Sequence, residues 1–151
     1  MSHWSIPFDE IARRVNARVE DVVRTFALEA FGRVIERSPV DTGRFKGNWF
    51  PSLNDFVAFS PDDPDPTGER TMHRMKTSVM RWPVGGIMYL TNSLPYAVVI
   101  EYGEYPNPPK HPTGKTVGGY STQAPQGVVR VTAQEMRNQL ASNFPGLEGS
   151  L

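Results

Sequence analysis

The stretch FDEIARRVNARVEDVVRTFALEAFGRVIER, residues 8–37, decides how this chain folds. Phe8, Ile11, Val15, Val19, Val22, Phe26, Ala30 and Val34 recur at steps of three and four, with Arg13, Arg14, Arg18, Glu20, Asp21, Arg24 and Glu29 between them. That spacing puts the apolar side chains on one stripe of an amphipathic helix. Ser5 is placed to cap its start, Pro7 suits the first turn, and Asp9 and Glu10 complement the positive end of the dipole. Arg37-Ser38-Pro39 stops it, because proline cannot continue a helix. A helix over 8–37 is about 45 Å long, more than a domain of this size needs to cover its own core.

Downstream, Ser38-Pro39-Val40-Asp41-Thr42-Gly43 is a turn by composition, and Asn48-Trp49-Phe50 and Phe56-Val57-Ala58-Phe59 read as short strands. A breaker cluster follows from Pro61 to Gly68. The acids Asp55, Asp62, Asp63, Asp65 and Glu69 lie in 55–69 without a base, whereas 70–81 holds Arg70, Arg74, Lys76 and Arg81 without an acid. Within 70–81, Met72, Met75 and Val79 share one side of a short helix. The run from Ile87 to Asn92 is the best strand, and Leu94 to Gly103 reads as a short buried helix with Asn92 or Ser93 as cap and Gly103 as stop. Residues 104–122 hold four prolines and three glycines and form an arm. Val129, Thr132, Ala133, Met136 and Leu140 restore helical periodicity before a fraying tail.

These elements predict an α+β fold. The long N-terminal helix and the C-terminal helix pack on a small, mainly antiparallel sheet that includes 48–58 and 86–92. One domain spans 1–151, with flexible termini at 1–7 and 142–151, an insert at 60–82 and the extended arm at 104–122. There is no internal repeat.

Composition narrows the function classes. At 151 residues and 16.9 kDa the chain supports one core. Lys plus Arg and Asp plus Glu both number 16, so a clamp on nucleic acid or anionic membrane by bulk charge is not expected. The absence of cysteine excludes disulfides, thiolate metal sites and a cysteine nucleophile. The start of the chain has no basic and apolar leader, and no apolar stretch approaches the roughly 20 residues of a membrane helix, so neither secretion by a signal nor a membrane span is expected. The 13 glycines and 14 prolines make about 18% of the chain against roughly 12% in average usage, concentrated at 61–68 and 103–127.

Asp41-Thr42-Gly43 matches the catalytic triplet of retroviral-type aspartic proteases, and such a protease is one alternative reading. That chemistry needs two such aspartates sharing a proton across a dimer, each presented by a loop after a buried apolar strand. Here a helix end and Ser-Pro precede the triplet, and Arg44 and Lys46 follow it, so a turn with a glycine at positive φ fits better. Asp63-Pro64-Asp65-Pro66-Thr67-Gly68-Glu69 begins like a calcium loop but has Arg74 where the bidentate glutamate belongs. His3, His73 and His111 are scattered, which argues against a histidine metal site. Glu101, inside Val98-Val99-Ile100-Glu101-Tyr102, must reach solvent, a base or a partner chain.

Three blocks of sequence resemble, in order, the HK97 gp10-like family of phage tail-completion and neck proteins. The first is Ser38-Pro39-Val40-Asp41-Thr42-Gly43-Arg44-Phe45-Lys46-Gly47-Asn48-Trp49. The second runs from Tyr89 through Asn92, Tyr96 and Ala97 to Glu101-Tyr102-Gly103. The third is Tyr120-Ser121-Thr122-Gln123-Ala124-Pro125-Gln126-Gly127-Val128-Val129-Arg130. The 60–82 insert and the arm have no counterpart in its shorter members. The resemblance implies a virion structural protein forming a homo-oligomeric ring at the head-tail junction, made in the host cytoplasm. Its partners would be itself, other neck, connector and tail-tube proteins, and genomic DNA passing through the channel. It implies no catalytic residue, metal or cofactor. Asp41, Thr42, Gly43, Trp49, Asn92, Tyr96 and Gly103 are then the structural motif. Candidate interface residues are Asp62, Asp63, Asp65, Arg70, Arg74, Lys76, Arg81, Glu101, Tyr105 and Lys110. One arrangement sets acidic 55–69 of one subunit against basic 70–81 of the next; another lines the channel with Asp62, Asp63 and Asp65. The remaining alternative is a small non-viral binding module that stays a monomer or dimer.

Overall fold

The computed structural model describes residues 7–83 and 85–143. Helix α1 spans Phe8–Arg37, with Pro7 at its N-cap position and Ser38 at its C-cap. Ser5 and the segments 1–6 and 144–151 lie outside the described residues. The Ser38 hydroxyl donates to Val34 O at 2.7 Å and accepts from Trp49 Nε1 at 2.8 Å, so the residue that ends α1 also ties it to the next block.

The turn after α1 leads into a one-turn helix, α2 (Arg44–Gly47), where the sequence pattern had no helix. Gly43 starts it at φ +92°, and a Cβ there would collide with the Pro66 backbone. The Gly43 carbonyl accepts from both Gly47 N and Asp65 N, which joins the turn to the Pro/Gly cluster. Strand β1 is Phe50–Leu53, and it pairs antiparallel with β2, Met88–Thr91, in the register Phe50↔Thr91 to Leu53↔Met88. Pro51 is tolerated because a two-stranded sheet leaves edges free of ladder bonds.

Residues 56–59, expected as strand, are not one. Asn54 takes a left-handed conformation (φ 62°) and turns the chain away after β1. The segment is then held by the Ser93 hydroxyl on Val57 O and by the Phe50 and Phe59 rings, 4.4 Å apart, without a ladder.

Helix α3, Glu69–Met80, follows Gly68 and lies between α1 and β1. Its Met75 and Val79 have no exposed surface, and Met72 packs beside them, as the periodicity predicts. Within the 60–82 segment, one face of α3 therefore belongs to the core, while residues 62–64 ahead of it are exposed. Helix α4 is Ala97–Tyr102, shorter than the 94–103 reading, and only Ile100 on it is buried. Gly103 ends it at φ 67°, and the Tyr120 ring lies where a Cβ would stand. Asn92 does not cap α4; its Oδ1 accepts from Leu94 N and its Nδ2 donates to Phe45 O at 2.9 Å, bracing the turn ahead of the helix.

The arm is not structureless. A short hairpin, β3 (Thr116–Val117) with β4 (Tyr120–Ser121), closes its far end, and Tyr105 N donates to Gly119 O at 3.0 Å. Helix α5, Val129–Asn143, packs on α1 and runs past the point where the tail was expected to begin. The seam is a polar network. Arg33 and Arg37 both reach Glu135, Arg37 also donates to Thr132 Oγ1, and Gln139 bridges Glu29 and Arg33. The Arg37 hydrogen bond leads in holding the Glu135 carboxyl below the usual range, against a smaller opposing effect of burial. The core draws on all these parts: Ile35 from α1, Phe45 and Trp49 after it, Met75 and Val79, Leu94, Ile100, Ala124 and Val128. Helices plus small antiparallel sheets make this an α+β fold.

Candidate functional site

The three motif blocks, far apart in sequence, form one node. Glu101 on α4 points at the start of α5, where the first amides of a helix lack internal acceptors. Its Oε2 accepts from Val128 N and Val129 N, both at 2.8 Å, and its Oε1 accepts from Arg130 N at 2.9 Å and Arg130 Nε at 3.2 Å. The Glu101 side chain is 14% exposed. Burial opposes its ionisation, but the amides of Val129, Arg130 and Val128 outweigh that and hold its carboxyl below the usual range. Arg130 closes the junction by donating to Glu101 O at 2.6 Å, with its guanidinium 4.4 Å from the Tyr102 ring centre. Of the fates open to Glu101 in the sequence, the structure assigns a base, Arg130, together with a helix terminus.

Gln123 in the third block clamps the first: its Oε1 accepts from Val40 N and its Nε2 donates to Val40 O, both at 2.9 Å. Sequence reasoning passed over Gln123, whose only signal was its place in the resemblance. Asn92 ties the second block to the first through Phe45 O. Asp41 is exposed and pairs with Lys115 Nζ at 2.9 Å, and Thr42 Oγ1 accepts from Arg44 N. Phe45 packs edge-on to Trp49 and beside Tyr96, so Trp49 is core and Tyr96 is partly buried against it. Burial raises the pKa of Tyr96 and, likewise, of Tyr105.

The charges proposed to meet between subunits find partners within the chain. Asp65 is buried, and its Oδ2 accepts from Thr71 N at 2.8 Å and Thr71 Oγ1 at 2.7 Å, capping the first turn of α3 from outside. Burial opposes its ionisation, yet the Thr71 hydrogen bonds and nearby Arg70 hold its carboxyl below the usual range. Arg70 pairs with Asp63 at 3.0 Å and bonds Pro64 O. Arg74 donates to Gly47 O and Trp49 O and lies 4.0 Å over the Phe50 ring; desolvation lowers its pKa. Asp62 lies 3.7 Å from Arg44. Within one chain Asp63 and Asp65 thus meet Arg70 and Thr71 of the adjoining segment, and Arg74 is engaged with the backbone of 47–49. Lys76, Arg81 and Lys110 are exposed.

The described residues enclose several concave surfaces, a shallow one beside Arg130 and Tyr120 among them. A larger one, of about 730 Å³, lies between the 39–45 turn, α4 and the base of the arm, with Phe45, Tyr96, Ile100 and Tyr105 among its walls. Another, about 440 Å³, lies between α1 and α5 and includes Val22, Phe26 and Leu140. Among the described residues, no group of three or more His, Asp or Glu is placed to hold a metal ion, and no helix is long and apolar enough to cross a membrane. Comparison of the chain with protein-family models, with curated proteins and with solved structures finds no match.

Proposed function

We propose that this chain is a structural subunit of a tailed-phage virion, acting at the head-tail junction as a homo-oligomeric ring around the DNA channel. The observation that carries this reading is the interlock of the three motif blocks. Glu101 secures the entry to α5, Gln123 secures the 38–43 turn, and Asn92 secures Phe45. Residues that match the family's motifs are thus residues that hold the frame, which suits a protein whose product is a shape. The protease alternative gains nothing from this geometry, since Asp41 follows a helix end and a turn rather than a buried strand, and it is exposed and ion-paired with Lys115. The outer part of α1 supports assembly as well: Val15, Val19 and Val22 are exposed along one stripe, apolar surface that a monomer leaves in water. Zero formal charge suits a channel that lets DNA pass without gripping it.

Withholding the protein while the phage that encodes it assembles provides the test. Filled heads and separate tails are the expected products; normal infectious virions would overturn the reading. The mass of the purified chain in solution adds a second readout, because the small binding module remains a monomer or dimer.

A further inference from the structure

Helices α1 and α5 lie antiparallel. Arg37 bonds Thr132, Arg33 bonds Glu135 and Glu29 accepts from Gln139, so each turn forward on α5 meets a turn back on α1. Where that series ends, the groove of about 440 Å³ opens, with Val22, Phe26, Leu140 and Asn143 among its walls. Val22 is 55% exposed, and Phe26 and Leu140 are half-buried, so the described residues leave apolar side chains facing water there. Helix α5 ends at Asn143, itself a wall of the groove, and the sequence continues Phe144-Pro145-Gly146-Leu147-Glu148-Gly149-Ser150-Leu151.

The chemistry of this continuation matches the groove. Proline at 145 cannot extend α5, and it disfavours helical backbone at 144. Phe144-Pro145-Gly146-Leu147 carries proline at the second and glycine at the third position of a type II turn. Such a turn brings its first and fourth residues within about 7 Å, which makes Phe144 and Leu147 an apolar pair beside Asn143. Four residues of chain span at most about 14 Å, so Leu147 is held close to the groove. The segment ahead of α1 is less well placed, because it joins at Pro7, about 22 Å along the helix from Val22. A second copy has to compete with a tethered group whose effective concentration is on the order of millimolar. Charge agrees as well. Arg18 lies one turn before Val22 on the same face, is exposed, and makes no ion pair among the described residues, while Glu148 is the charged residue of the continuation. Asp21, also on the wall, is like-charged with Glu148 and favours its placement at Arg18.

We propose that residues 144–151 fold back and seat Phe144 and Leu147 between Val22, Phe26 and Leu140 of their own chain, with Glu148 at Arg18. The segment straps the end of α5 to the middle of α1, beyond the polar network that joins the two helices. Val15 and Val19, farther out on the stripe, stay open. This contact does not depend on the neck reading.

The chain has no cysteine, so disulfide trapping in dilute solution provides the test. Val22→Cys with Leu147→Cys is expected to close a disulfide within one chain about tenfold faster than Lys110→Cys with Leu147→Cys, whose first site lies out on the arm. Adding Phe144→Asp to the first pair should slow closure about tenfold. Glu148→Lys should slow it roughly threefold, the scale of an exposed ion pair, and Arg18→Glu should restore it. Equal rates for the two pairs overturn the proposal, as does closure indifferent to Phe144→Asp. Covalent dimers in place of closed monomers would mean that a second copy supplies the segment, and also overturn it. Hydrogen exchange of the cysteine-free chain gives a separate readout. Phe144→Asp should speed exchange at 140–143 about tenfold and leave 129–136 unchanged; unchanged exchange at 140–143 overturns the proposal.

Discussion

Residues 61–68 and 104–122 are two stretches rich in proline and glycine, and the fold uses them in opposite ways. In the first, the breaker cluster is bolted down by Asp65 on Thr71 and by the Gly43 carbonyl on Asp65 N, and it delivers α3 into the centre of the core. In the second, only the two ends are tied, through Tyr105 to Gly119 and through the β3–β4 hairpin, and the proline-rich tip between them is exposed. The difference lies in the residues on the C-terminal side of the prolines. Beyond the first cluster come Met72, Met75 and Val79 at helical spacing, and burying them offsets the entropy of ordering the loop. Beyond the tip come Thr, Gly and Lys, which offer no such return.

That contrast can be broken experimentally. Met75→Ala should lower unfolding free energy in urea by about 3–4 kcal/mol, as expected for a large side chain removed from a packed site. A loss under ~1 kcal/mol, within the range of an unremarkable substitution, would place α3 outside the core and erase the distinction. Asp65→Ala should cost about 2–3 kcal/mol, since it leaves the buried Thr71 amide and hydroxyl without their acceptor.

The same carboxylate gives a pH signature. Its folded pKa lies below the ordinary 3.8, so its contribution is present above that value and lost as pH falls through the folded pKa. Acid unfolding of Asp65→Asn should therefore be shallower than wild type below about pH 4. An identical acid limb would show that Asp65 is not what holds the loop.

Smaller effects sharpen the other side. Glu101→Gln should cost about 1–2 kcal/mol by weakening the charge-assisted bonds at the start of α5. The amides of Val128, Val129 and Arg130 should lose hydrogen-exchange protection first; uniform loss across the chain would contradict a local anchor. Replacing 107–112 with glycine and serine should change monomer stability by no more than about 0.5 kcal/mol, the usual range for exposed substitutions. A larger loss would make the tip part of the fold.

Much of this architecture was legible because it is local. The 3.6-residue period of 8–37 gave both ends of α1, the spacing of Met72, Met75 and Val79 gave the buried face of α3, and the β-branched and aromatic run at 87–92 contained β2. Gly103 was readable as a stop because only a residue without Cβ fits there easily. Other features depended on distance. Phe56 to Phe59 has strand composition but no strand beside it, and α2 exists because Gly43 and Asn48 find carbonyls and amides brought in from elsewhere. The motif residues were visible as a set, yet their roles as clamp and cap were not, since Glu101 meets amides 27 to 29 residues away and Gln123 meets Val40 across 83.

The sequence by itself determined the order and kind of the main helices and the absence of any thiol chemistry, because backbone periodicity and side-chain inventory are properties of neighbouring residues and of composition. Only the tertiary structure decided which charges are spent inside the chain and which Pro/Gly segment leads into the core. The reason is that a charge or a loop is stabilised by whatever stands within a few ångströms of it, and in this protein those neighbours come from segments tens of residues apart.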